Sequence, residues 1–358
     1  MITPEHLTII PILLVLIIAH ELGHFVVARM AGVVVEEFAI GFPPRLVSRV
    51  VGGVRYSLNL LPFGAYVRLL GEEDPTAPGS FASQPKLPRA LILAAGSAVN
   101  FIVGVLAFAL AYGTGWPDPS NVEIRIAEVL PGSPAEVAGL RPGDTLRSVG
   151  DVPLKSTTQI RDYIEEHPRQ AVPVTIERET GVQTIAVPPR VDPPAGQGAL
   201  GVRLDLRALP SPHDPISSLS FGLRQTVGVI GLTLTAPALA IRGELPTEAL
   251  RPIGLPGMSQ LAAEATSAVV ESGWFFPILV LAGVFSAGLS VANMLPLPAL
   301  DGGRLLFIVI EAIRGRPVPR EIEGVIHTAG LVALVTLMVM ISFNDVIRPV
   351  PGIDWGLR

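Results

Sequence analysis

The chain has 358 residues, 49% hydrophobic and only 16% charged, where soluble domains carry about a quarter charged residues, and its mean hydropathy is +0.53. This composition points to a membrane protein and excludes disorder and coiled coil, while 36 Gly and 35 Pro without a collagen period must punctuate turns and broken helices. A formal net charge of −5 with no basic run argues against a nucleic-acid partner, and the absence of cysteine restricts any metal site to His, Asp or Glu.

Apolar runs of about 20 residues predict membrane-crossing helices at Leu7–Met30, Ala90–Tyr112, Pro277–Leu297 and Val325–Ile347. The first run continues through ionisable residues and has no Lys or Arg before it, so it is expected to be retained rather than cleaved as a secretory signal. Between the first two runs, Tyr56–Val67 reads as strands about a turn, and Gly41-Phe42-Pro43-Pro44 precedes it. After the second run, Val129–Ala135 and Ala138–Asp144 read as strand, turn, short helix and turn. Alternating strands follow at Val172–Arg178 and Gln183–Val187. Pro188–Pro194 and Pro210–Pro215 resemble linkers. Arg224, Gln225, several Thr and Pro237 interrupt the apolar stretch Ser217–Ile241, which therefore reads as amphipathic helices lying on the membrane surface.

Lys and Arg set the orientation. The loop from Arg29 to Arg89 carries seven and the connection after the third span adds four, while the N-terminal tail carries none. By the positive-inside rule both loops face the cytoplasm, which places both termini and the segment after Trp116 outside.

Within the first span stands His20-Glu21-Leu22-Gly23-His24. Two His at i and i+4 share one helical face and can reach one metal ion, with Glu21 beside its water; two His and a Glu in an apolar span are costly unless they serve a site. A catalytic zinc takes three protein ligands. The third is expected from Asp301, at the end of Asn293-Met294-Leu295-Pro296-Leu297-Pro298-Ala299-Leu300-Asp301-Gly302-Gly303, where two prolines break the third span. Depth agrees, because His20 lies about 20 Å along a helix entering from outside and Asp301 follows a span that also runs inward.

These motifs, with Gly96-Ser97-Ala98-Val99-Asn100 in the second span, resemble the HExxH, GxxxN and NxxPxPxLDGG signatures of the site-2 protease family of intramembrane zinc metalloproteases, in its bacterial RseP-like branch with a single PDZ domain. The resemblance runs almost end to end. It implies that His20, His24 and Asp301 bind one Zn2+ per chain, that Glu21 is the general base, and that Asn293 holds the substrate backbone. Asn100 is either a helix-packing amide or a substrate-binding residue. Gly41-Phe42-Pro43-Pro44 stands where the family usually has GFG.

The implied fold is a polytopic α-helical membrane protein of about four transmembrane helices, with a membrane-associated β-hairpin and one inserted α+β PDZ domain. Residues 1–115 form the first membrane half, 122–206 the PDZ domain, 207–276 an amphipathic segment and 277–358 the second membrane half. In Gly198-Ala199-Leu200-Gly201-Val202, the amides of Leu200, Gly201 and Val202 match the permuted family's carboxylate loop, and no charged residue beside the loop is expected to strengthen carboxylate capture. The implied function is regulated intramembrane proteolysis of single-span membrane proteins of the anti-sigma factor or remnant signal peptide type. It takes place in the bacterial inner membrane after an upstream site-1 type protease, with the active site toward the cytoplasm. The rival reading is a catalytically idle membrane adaptor that holds clients through its PDZ domain.

Overall fold

The computed structural model describes residues 3–72, 76–178, 180–194, 196–246, 251–316, 318–353 and 355. After a 3-10 turn at Pro4–Thr8 the elements are α1 (Ile9–Met30), β1 (Val35–Val51), β2 (Val54–Leu69), α2 (Lys86–Gly115), β3 (Trp116–Val129), α3 (Pro134–Val137), β4 (Thr145–Val149) and β5 (Val152–Pro153). There follow α4 (Thr158–Glu166), β6 (Val172–Arg178), β7 (Gly181–Val187), β8 (Val202–Ser211), α5 (Pro215–Ile241), α6 (Leu255–Ser272), α7 (Phe276–Met294), α8 (Asp301–Arg314) and α9 (Arg320–Ile347). They gather into two compact units, one made of the chain up to Gly113 with Asp214–Ile353, the other essentially Thr114–His213.

In the helical unit α2 is the central element. Ser286 and Ser290 of α7 donate to the carbonyls of Asn100 and Ser97 at 2.7 and 2.8 Å, small polar residues that join helices where apolar burial supplies no drive. Gly23 brings α1 so close to α2 that a Cβ there would stand 2.6 Å from the Ala95 carbonyl oxygen. α7 stops at Met294 because Leu295, held extended at ψ 141°, precedes Pro296.

Among the described residues, five helices are long and apolar enough to cross a membrane, the fifth being α5. The stretch read as interrupted surface helices is one helix of 27 residues. Its threonines do not break it, because Thr226, Thr233 and Thr235 donate back to the carbonyls of Gly222, Val229 and Gly231 and so present no unpaired hydroxyl. Gly222 lies directly against the Val105 carbonyl, packing the first turns of α5 on α2.

β1 and β2 pair as a long antiparallel hairpin that folds back on itself, so that Phe38, Ala39 and Ile40 have partners on both flanks, at 56–58 and at 65–67. Glu37, only 1% exposed, is held inside it by Arg45 at 2.7 Å and Ser57 at 2.5 Å. Gly41-Phe42-Pro43-Pro44 lies within β1 rather than in a loop, and Asn59 Nδ2 donates to the Gly41 carbonyl.

The second unit is a sheet in the order β7-β6-β4-β3-β8, with β5 on β4, around a core that includes Ile124, Ile126, Leu146, Val172, Val174 and Ile176. β6 spans the residues its alternation predicts. Asp144 is buried at the start of the β4 turn. Burial alone would raise its carboxyl, but Arg178, gripping both oxygens at 2.5 and 2.7 Å, and the Arg141 amide hold it below the usual carboxylate range.

Candidate metal centre

α1 carries His20 and His24 one turn apart, and α8 begins at Asp301. Asp301 Oδ2 lies 3.1 Å from His20 Nε2 and 3.3 Å from His24 Nε2, and the two Nε2 atoms are 3.1 Å apart. The three candidate ligand atoms all fall within 4.8 Å of one another, with both His buried and Asp301 half-buried. Thus the sequence separation of 281 residues between His20 and Asp301 is closed, as the depth argument requires. Two imidazole lone pairs and a carboxylate converging on one point, with room for a fourth ligand, make a donor set that suits catalytic zinc.

The surroundings fit that use. His24 Nδ1–H donates to the Ile92 carbonyl at 2.7 Å, which leaves the Nε2 lone pair pointing at the cluster. Asn100, fully buried on α2, has its amide 3.3 Å from His20 Nδ1, and its Oδ1 is otherwise without a hydrogen-bond partner. With amide oxygen and nitrogen exchanged, Oδ1 accepts from His20 Nδ1–H and frees that Nε2 as well. Gly96 completes the cradle: a Cβ there would stand 2.5 Å from His20 Cε1 and from His24 Nε2.

The sequence profile of peptidase family M50 matches residues 8–337. The chain belongs to this family. It is 32% identical over 339 residues to a Clostridium perfringens protein whose name assigns it to the zinc metalloproteases, with 94% of this chain and 96% of that protein covered. It is 27% identical over 424 residues to the zinc metalloprotease RasP of Oceanobacillus iheyensis, and 27% identical over 416 residues to the regulator of sigma-W protease RasP of Bacillus subtilis. In both cases 93% of this chain and 96% of the relative are covered.

In this peptidase Glu21 stands next to the His pair, and its Oε2 accepts the Val67 amide of β2 at 3.0 Å, a bond that ties the hairpin to the metal centre. A cavity of about 470 Å³, lined among others by Glu21, His24, Val67, Asp301, Arg304 and His327, opens beside the ligands. His327 escaped the sequence reading. The available signal was a histidine inside the last apolar run, a costly place for an ionisable side chain. Asn293 is half-buried in the last turn of α7 and makes no side-chain hydrogen bond among the described residues.

In the second unit Leu200 is buried, and Gly201, at φ +74°, lies against Ser133, where a Cβ would stand 2.3 Å from the serine's own. The Gly201 amide already donates to the Gly198 carbonyl at 3.0 Å, and Val202 opens β8. Contrary to the sequence reading, a cation does stand beside this loop: the Arg190 amide bonds the Ala199 carbonyl, and its guanidinium bonds Gln197 Oε1 and the Gly132 carbonyl.

Proposed function

We propose that this M50 peptidase is a zinc metalloendopeptidase that cuts single-span membrane proteins within or near their transmembrane helices, and that His20, His24 and Asp301 hold the zinc. The observation that carries the reading is the convergence of Asp301 on His20 and His24, beside Glu21, the last three being on a helix apolar enough to lie in a bilayer. When bound, zinc lowers the pKa of a coordinated water and polarises a peptide carbonyl. Glu21 takes the proton from the attacking water and passes it to the leaving amine. The Val67 amide fixes the Glu21 carboxylate for that transfer. Asn100 sets the His20 tautomer, which agrees with a positioning role rather than plain helix packing. Asn293, at the mouth of the broken segment, receives the substrate backbone. An unwound substrate adds as a strand to the edge of the β1–β2 hairpin, which exposes its carbonyl to attack. An idle adaptor has no use for three converging ligands, so the enzyme reading is preferred.

The substrates we propose are of the anti-sigma factor or remnant signal peptide type, cut after an upstream site-1 type protease; the name of the Bacillus subtilis relative, a regulator of sigma-W, supports the first of these. We read the second unit as the single permuted PDZ domain of the RseP-like branch, with Arg190 as a cation beside its carboxylate loop.

We place the protein in the bacterial inner membrane. Ser259 of α6 bonds the His6 carbonyl, while Gly254 and Gly257 at the start of α6 bond Asp345 near the end of α9. The start of α1 and the end of α9 therefore share one side, which favours an even number of crossings. We assign these to α1, α2, α7 and α9, with α5 packed against α2 and α7 without a net crossing. A cysteine replacing exposed Pro78 is then shielded from an impermeant thiol reagent in intact cells, and one replacing exposed Lys155 labels. The reverse pattern overturns this topology. The enzymatic reading is tested by metal content and cleavage of a single-span reporter by the purified protein. One zinc per chain and cutting that stops on chelation are expected, and a metal-free or inert protein favours the adaptor.

A further inference from the structure

Ala299 stands two residues before Asp301 and adopts φ +70°, a left-handed conformation that is strained for a residue with a Cβ and persists only where its surroundings hold it. The segment has few means of holding itself, because Pro296 and Pro298 donate no hydrogen bonds. The amides of Leu297 and Leu300 bond within the segment, to Leu295 and Leu297. The Ala299 amide instead leaves it and donates to His327 Nδ1 of α9 at 2.8 Å. Nearly one turn further along α9, Gly330 presses on the same segment: a Cβ there would stand 2.2 Å from Pro298 Cβ and 3.1 Å from its carbonyl carbon. His327 also lines the cavity that holds Asp301, and its ring centroid lies 5.4 Å from that of Phe307 on α8.

From these contacts we infer that His327 is a positioning residue for the metal centre. By accepting the Ala299 N–H it pins the left-handed turn that delivers Asp301 to His20 and His24, and Gly330 lets α9 come close enough for the bond to form. The inference rests on the zinc reading above, and its test separates the two.

The measurement is zinc affinity of the full-length protein in detergent, by competition with a chromophoric chelator. His327→Leu is expected to bind zinc about 10–100-fold more weakly, the usual effect of removing a residue that orients a metal ligand. His327→Asn, whose Oδ1 replaces the acceptor at Nδ1, stays near wild type. Gly330→Ala weakens binding as His327→Leu does, whereas Gly324→Ala on the same helix, with open space around it, does not. This glycine pair carries the test if the leucine variant fails to fold. Wild-type affinity in His327→Leu or in Gly330→Ala overturns the inference, and so does an asparagine variant as weak as the leucine one, which would make the imidazole itself a ligand. Asp301→Ala serves as the reference: its loss of zinc is required by the metal-site reading, and retention there removes that reading together with the inference built on it.

Discussion

Replacing Glu21 by Gln leaves zinc bound and lowers the rate of peptide-bond cleavage by about 10²–10⁴-fold, the contribution typical of a positioned general acid–base group. The substitution is unusually clean here. The glutamine oxygen keeps the same length and can still accept the Val67 amide, so the tie between hairpin and metal centre survives. What is lost is the capacity to take a proton from water and return it to the amine. Neither His20 nor His24 can substitute, since their Nε2 atoms face the metal position and His24 Nδ1 is committed to Ile92. Metal analysis and a single-span reporter assay on the same preparation decide the matter: full zinc with wild-type cleavage would remove Glu21 from the chemistry.

Gly96→Ala is expected to be nearly as severe, although the residue itself offers no ligand atom. Its new Cβ would fall 2.5 Å from His20 Cε1 and His24 Nε2 and 2.6 Å from His20 Nε2, far inside van der Waals contact. α2 cannot simply recoil, because Gly23 already brings α1 hard against Ala95 and Ser290 bonds back to Ser97. The imidazoles must therefore move by something near 1 Å, a misplacement that costs about 10²-fold in rate when it affects reacting groups. Zinc occupancy should fall with it. The helix itself loses nothing, since alanine is the better helix former by about 1 kcal/mol. Gly288→Ala, with open space around it on α7, is the control and should behave as wild type. A Gly96→Ala protein with full zinc and full activity would show that the imidazoles do not rest on α2.

The sequence by itself determined the helix positions and the metal motif, because both depend on local periods. Hydrocarbon thickness sets how long an apolar run must be, and α1, α2, α7 and α9 fall on the four runs so identified. A period of 3.6 residues puts His20 and His24 on one face, and Pro296 ends α7 where a proline must. The same reasoning divided α5, which is one continuous helix, because it treats each threonine as polar and cannot register a hydroxyl that bonds its own backbone. Only the tertiary structure decided the rest. The contacts of Gly96 with both imidazoles, Asn100 with His20, Glu21 with Val67, His327 with Ala299 and Arg190 with Gly132 each join elements distant in the chain. No period encodes them, since they depend on how closely two backbones approach and on which rotamer the packing leaves open.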